Sequence, residues 1–145
     1  MKSKILHTGP KIGNSELEAF EKRHKLSLPE DYRAFMLEYN GGMPIPQVFD
    51  FETTSTVVEV LFSLKPGDPF DLNLACMSLD WEDAYQRGII CIGRDSCGSQ
   101  IFLATKGRDL GTIYFFDREE TLRPKSGAVR IAGSFDEMMN NLRPL

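Results

Sequence analysis

Residues 28–42, Leu-Pro-Glu-Asp-Tyr-Arg-Ala-Phe-Met-Leu-Glu-Tyr-Asn-Gly-Gly, constrain the fold more than any other part of this sequence. Ser27 or Leu28 stands where a helix cap belongs, and Pro29 falls in the first turn, where a missing N–H costs nothing. Glu30 and Asp31 place negative charge at the positive end of the helix dipole. Tyr32, Phe35, Met36 and Tyr39 recur at i, i+3, i+4 and i+7, so one face of this helix must lie against a core. Asn40-Gly41-Gly42 then ends it, because these residues accept positive φ at little cost.

The neighbouring segments predict what that helix packs on. An earlier helix is expected from Asn14-Ser15, with Ser15 and Glu18 at capping-box spacing, Leu17, Phe20 and His24 on one face and Glu21, Lys22 and Arg23 on the wet side. Pro44 and Pro46 predict an irregular loop. Val48-Phe49-Asp50-Phe51 and the threonine- and valine-rich residues 53–64 suit strands, and Lys65-Pro66-Gly67-Asp68-Pro69 a turn. Residues 70–87 follow no single period, although Leu79, Trp81, Ala84 and Tyr85 allow a short helix ended by Gly88. From Ile89 onward, short apolar runs alternate with glycine-containing turns: Ile89-Ile90-Cys91-Ile92, Gln100-Ile101-Phe102-Leu103-Ala104, and Thr112-Ile113-Tyr114-Phe115-Phe116. Strands this close make an antiparallel meander. Val129 and Ile131 mark one more strand, and Ser134 with Glu137 opens a last helix carrying Phe135, Met138, Met139 and Leu142. The expected fold is α+β: an antiparallel meander with an N-terminal helix pair and a C-terminal helix packed around it. One domain over residues 1–145 is expected, with residues 1–12 as a tail free to be flexible.

Composition narrows the function. With 41% hydrophobic and 26% charged residues, the chain has ordinary globular material. A formal charge of −4 works against binding nucleic acid and favours a basic partner. The basic N-terminus lacks the apolar centre of a secretory signal, and no apolar run is long enough to cross a bilayer. Cys76, Cys91 and Cys97 are odd in number and contain no Cys-x-x-Cys pair, which points to free thiols in a reducing cytoplasm.

Catalytic chemistry finds little support. The only imidazoles are His7, in the tail, and His24, at a helix end; Cys91 sits among isoleucines and Cys97 lies in a turn with no histidine near it in sequence. No metal-binding spacing occurs, and no cofactor is expected. Gly93-Arg94-Asp95-Ser96-Cys97-Gly98 has the glycine spacing of a phosphate loop but continues into Ser99-Gln100 and a strand, so it is a hairpin turn. Asp80, Glu82 and Asp83 beside Trp81 offer paired carboxylates for acid–base work, or simply an exposed acidic helix start.

Three segments together resemble the SUKH superfamily: Leu28-Pro29-Glu30-Asp31-Tyr32 with Asn40-Gly41-Gly42; Ile92-Gly93, Gly98-Ser99-Gln100-Ile101-Phe102 and Gly111-Thr112-Ile113-Tyr114-Phe115-Phe116-Asp117; and Ile131-Ala132-Gly133-Ser134-Phe135-Asp136-Glu137. Arg118 departs from the His or acidic residue that often follows the aromatic-Asp pair, and residues 69–87 match only loosely. The resemblance implies a SUKH-like fold and a non-enzymatic protein-binding role. Many bacterial members are immunity proteins that neutralise a cognate toxin domain, often a nuclease or deaminase; others are regulatory scaffolds related to cell-wall glucan synthesis regulators. Asp50, Glu52, Asp80, Trp81, Glu82 and Asp83 are the candidate partner contacts for a basic toxin domain, acidic side chains around one aromatic anchor.

Overall fold

A computed structural model describes residues 3–52, 54–69, 71–77, 88–116 and 128–145. Helix α1 spans Asn14–His24 and α2 spans Glu30–Glu38, with a short strand β1, Lys4–Leu6, before them. Gly13, not Ser15, is the cap of α1: the Glu16 carboxylate accepts the Gly13 N–H at 2.8 Å. The helix thus starts one turn-position earlier than Ser15 and Glu18 imply, and Glu16 replaces Glu18 as the reciprocal acceptor. Leu17 and Phe20 are buried as expected. Pro29 caps α2 itself, with its carbonyl accepting from Arg33 N–H at 2.9 Å, and Tyr32, Phe35 and Met36 are buried.

After α2 the backbone takes positive φ at three successive residues, Asn40 (52°), Gly41 (81°) and Gly42 (131°). A Cβ on Gly41 would stand 2.6 Å from the Leu61 carbonyl oxygen, so only glycine lets the turn lie against the neighbouring strand. Asn40 is fully buried. Its amide nitrogen donates to the Pro10 and Leu64 carbonyls at 2.7 and 3.1 Å, and its amide oxygen accepts the Leu64 N–H at 2.8 Å. Its own carbonyl accepts the Gly9 N–H at 3.1 Å.

The prolines that follow do not make an irregular loop throughout. Met43–Ile45 forms β2, which pairs antiparallel with β1 so that Pro44 faces Ile5. Pro44 is tolerated because a two-stranded ribbon has an outer edge where no N–H is demanded. The Ile45–Pro46 bond is cis.

The larger sheet has six strands in the order β3-β4-β5-β6-β7-β8, every neighbouring pair antiparallel. They span Val48–Phe51, Thr54–Leu61, Ile89–Asp95, Gln100–Ala104, Ile113–Phe116 and Ala128–Ala132. This is the meander expected from the sequence. Helix α3, Leu72–Met77, lies between β4 and β5, and α4, Phe135–Asn140, follows β8. Nearly all of β5 and β6 is buried residue after residue, the mark of strands covered on both faces. β7 alternates, with Ile113 and Phe115 inside.

Register shifts at Val58/Val60, Cys91/Gly93 and Ile113/Tyr114 add local twist. The sheet therefore coils toward closure: Phe49 and Phe51 of the first strand meet Phe115 of the fifth, with ring centroids 5.2 and 4.7 Å apart. Tyr32 and Phe35 of α2 pack on Phe135 of α4 at 5.2 and 4.9 Å, and these groups belong to one continuous core. Ser134 caps α4 by accepting the Glu137 N–H at 3.0 Å, while the Glu137 carboxylate accepts from Gly133 N–H rather than from the cap residue.

Asn40→Ala is expected to cost about 3–4 kcal/mol, from two carbonyls and one N–H left without their partner plus left-handed backbone strain. Asn40→Gly, which removes the strain but not the lost bonds, should recover about 1 kcal/mol of that. Urea denaturation of the three proteins measures both differences; equal stability of wild type and Asn40→Gly would show that the amide bonds add nothing.

Candidate partner-binding surface

The first two candidate contacts come from the β3–β4 hairpin. Asp50 is exposed on β3, and its two carboxylate oxygens receive Arg143 Nε at 3.0 Å and Nη2 at 2.9 Å. This bidentate pair lowers the Asp50 pKa, chiefly through the hydrogen bond from Arg143, and raises that of Arg143 in turn. The Arg143 backbone is bound as well: Val48 N–H donates to its carbonyl at 3.1 Å, and Arg143 N–H donates back to Val48 at 2.9 Å. Asp50 is thus an anion with a cation already in place. Glu52 is exposed at the tip of the hairpin with φ of 52°. Asp80, Trp81, Glu82 and Asp83 lie outside the described residues, so the acidic cluster around Trp81 stays a reading of the sequence.

The groups weighed for catalysis are occupied structurally. His24 lies against Phe20, ring centroids 4.6 Å apart, and its Nε2 is 2.9 Å from the Asn73 amide oxygen. Cys91 is buried, with its thiol directed at the Gly93 carbonyl at 3.4 Å. Cys97 is exposed, but its role is in the backbone: its N–H and that of Ser99 donate to Asp95 Oδ1 at 2.9 and 2.7 Å. Thr56 donates its hydroxyl to Asp95 Oδ2 at 2.9 Å, which ties the β5–β6 turn to β4. The glycine-spaced segment is a hairpin whose buried carboxylate organises the turn, in agreement with the sequence reading. Among the described residues no group of three or more His, Cys, Asp or Glu side chains is placed to hold a metal ion. No described helix is long and apolar enough to cross a membrane.

Two clefts open on the described surface. One, of about 280 Å³, lies between β1–β2 and β4–β5, bordered by His7, Gly42, Glu59, Ser63, Lys65 and Arg94. Its charges are internally matched, since Glu59 meets Arg94 at 3.0 Å and Lys65 meets Asp68 at 3.6 Å. The other, of about 140 Å³, lies where the end of α1 approaches the start of β5 and the end of β6. Sequence reasoning missed this second cleft. Lys22 reads as the wet side of a helix and Lys106 as a turn residue, and only the fold brings them together.

A coiled antiparallel meander, entered through a helix pair and closed by a capped C-terminal helix, defines a SUKH-type α+β domain. The chain belongs to the SMI1 / KNR4 family (SUKH-1), whose sequence profile matches residues 11–141. Comparison with curated proteins gave no match.

Because the Asp50 pKa is lowered in the folded state, the pair stabilises above the ordinary carboxylate range and loses its effect as pH falls through the folded value. Carboxyl-carbon NMR titration should place the Asp50 midpoint below that range in the wild type. In Arg143→Gln it should return to the ordinary range; an unmoved midpoint would show that the pair does not hold in solution.

Proposed function

We propose that this chain is a non-enzymatic protein-binding module that binds and neutralises a cognate bacterial toxin domain of the nuclease or deaminase type. The observation that carries this reading is membership of the SMI1 / KNR4 family (SUKH-1) across residues 11–141, since many bacterial SUKH members are immunity proteins. Charge supports it: a chain of formal charge −4 complements the basic cleft with which a nucleic-acid enzyme holds its substrate, which speeds encounter and fixes orientation. The structural employment of His24, Cys91 and Asp95 supports a binding role over catalysis. Site of action is taken as the reducing bacterial cytoplasm, in keeping with the free thiols of Cys91 and Cys97.

Within the candidate surface the weight shifts. Asp50 already binds Arg143, so a basic partner would have to compete for it. The stronger contacts for such a partner are then Asp80, Glu82 and Asp83 around Trp81, with Glu52 beside the hairpin tip.

Co-expression with the toxin domain encoded next to its gene should restore growth, and the two proteins should copurify. Replacing Trp81 by Ala together with Asp80→Asn and Asp83→Asn should weaken the complex by at least tenfold, about 1.4 kcal/mol or more. His7→Ala and Cys97→Ser should protect as well as wild type. No protection from any neighbouring toxin, with copurification of kinases or wall-synthesis enzymes instead, would move the assignment to a regulatory scaffold of the glucan-synthesis type.

A further inference from the structure

We propose that the cleft between the end of α1 and the β5 and β6 strands is a second binding site, one that takes the carboxylate side chain of an acidic segment on a protein partner. It is a built feature. Ile89 and Ile90, both buried, and the half-buried Leu26 supply an apolar lining, and Lys25, Lys106 and His24 supply the polar rim. The groove continues past Lys22 and Glu21. Glu21 does not neutralise it: one carboxylate oxygen accepts from Arg33 and the other accepts the Leu28 N–H at 2.8 Å. Among the described residues, Lys22, Lys25 and Lys106 form no ion pair with a carboxylate. Three lysines without counterions therefore converge in a chain whose net charge is −4.

Two backbone features hold the rim in place. Lys25 ends α1 in the left-handed region, with φ of 55° and ψ of 51°, where glycine is usual. Its basic neighbours at the helix end also answer the helix dipole, but Lys106 comes from a different element and has no such duty. Lys106 lays its stem across Gly88, where φ is 72° and an added Cβ would stand 2.3 Å from the lysine Cγ. The Gly88 carbonyl is fixed in turn by the Thr105 N–H at 2.7 Å and the Thr105 hydroxyl. Glycine at 88 is thus what lets a lysine cross there.

The chemistry selects the ligand. Ammonium groups over aliphatic side chains suit a carboxylate on a short methylene stem, such as a glutamate. No arginine lines this cleft to offer the planar fork that favours phosphate, and the overall negative charge repels a nucleic-acid strand more than a short acidic segment. The choice of a protein as the source of that carboxylate rests on the protein-binding reading above.

The test uses the full chain, isotopically labelled, titrated with a ten-residue glutamate- and aspartate-rich peptide, its glutamine and asparagine counterpart, inorganic phosphate, and a single-stranded oligonucleotide. The acidic peptide alone should shift the amide signals of Gly88, Ile89, Ile90, Thr105 and Lys106, and its affinity should fall at least threefold between about 50 and 200 mM salt. Lys106→Gln and Lys25→Gln, each confirmed to keep the wild-type melting temperature, should weaken it about fivefold or more; if Lys25→Gln lowers that temperature, Lys25→Asn replaces it, since asparagine accepts the left-handed backbone. Equal shifts by the neutral peptide, shifts by phosphate or oligonucleotide in place of the peptide, or no shift at millimolar acidic peptide would each overturn the proposal. Co-expression separates this from the toxin reading. Toxin protection without peptide binding removes the cleft proposal alone, and peptide binding without toxin protection removes the toxin alone.

Discussion

The architecture turns on one buried amide. Asn40 sits at the end of α2 in a left-handed conformation and binds the chain before α1, through Pro10, and the chain after β4, through Leu64. The position asks for three properties at once: tolerance of positive φ, two N–H donors, and an acceptor on the same short side chain. Aspartate lacks the donors, glutamine and serine are less suited to the backbone, and glycine has no side chain, so asparagine alone meets the whole demand. In a dry site each bond left unmade would cost more than it contributes when made, which makes this junction unforgiving. Helix, ribbon and sheet take their relative positions from it.

A second carboxyl-type side chain plays the corresponding part at the other end of β4. Asp95 holds the β5–β6 turn through two backbone N–H groups and reaches Thr56 with its other oxygen. Between these two anchors the strands shift register and the sheet curls until Phe115 touches both aromatic residues of β3. Curvature brings sequence-distant aromatic rings into one core.

What could be read from the sequence was local. The stripe of α2, the Asn-Gly-Gly stop, the Ser134 and Glu137 cap and the meander all rest on contacts between residues a few positions apart, and each is present. The α1 cap was misassigned because Ser15-Glu18 and Gly13-Glu16 have the same spacing, and only tertiary placement of Leu17 and Phe20 decides between them. The β1–β2 ribbon escaped notice because Pro44 argues against a strand unless its outer edge is known to be free. The basic cleft and the Asp50–Arg143 pair join residues scores of positions apart, for which one sequence carries no signal.

That last pair has a bearing on how the molecule behaves at high concentration. β3 is the terminal strand of the large sheet, and a terminal strand carrying Val48, Phe49 and Phe51 has an outer row of backbone groups ready to recruit another chain. Arg143 occupies part of that row twice over, with a reciprocal pair of backbone bonds to Val48 and a guanidinium fork on Asp50 two residues further along. Seen this way, a charge cluster on the surface acts as a stopper on sheet growth. It keeps an aromatic strand committed to its own fold while the same molecule stays open to partners elsewhere.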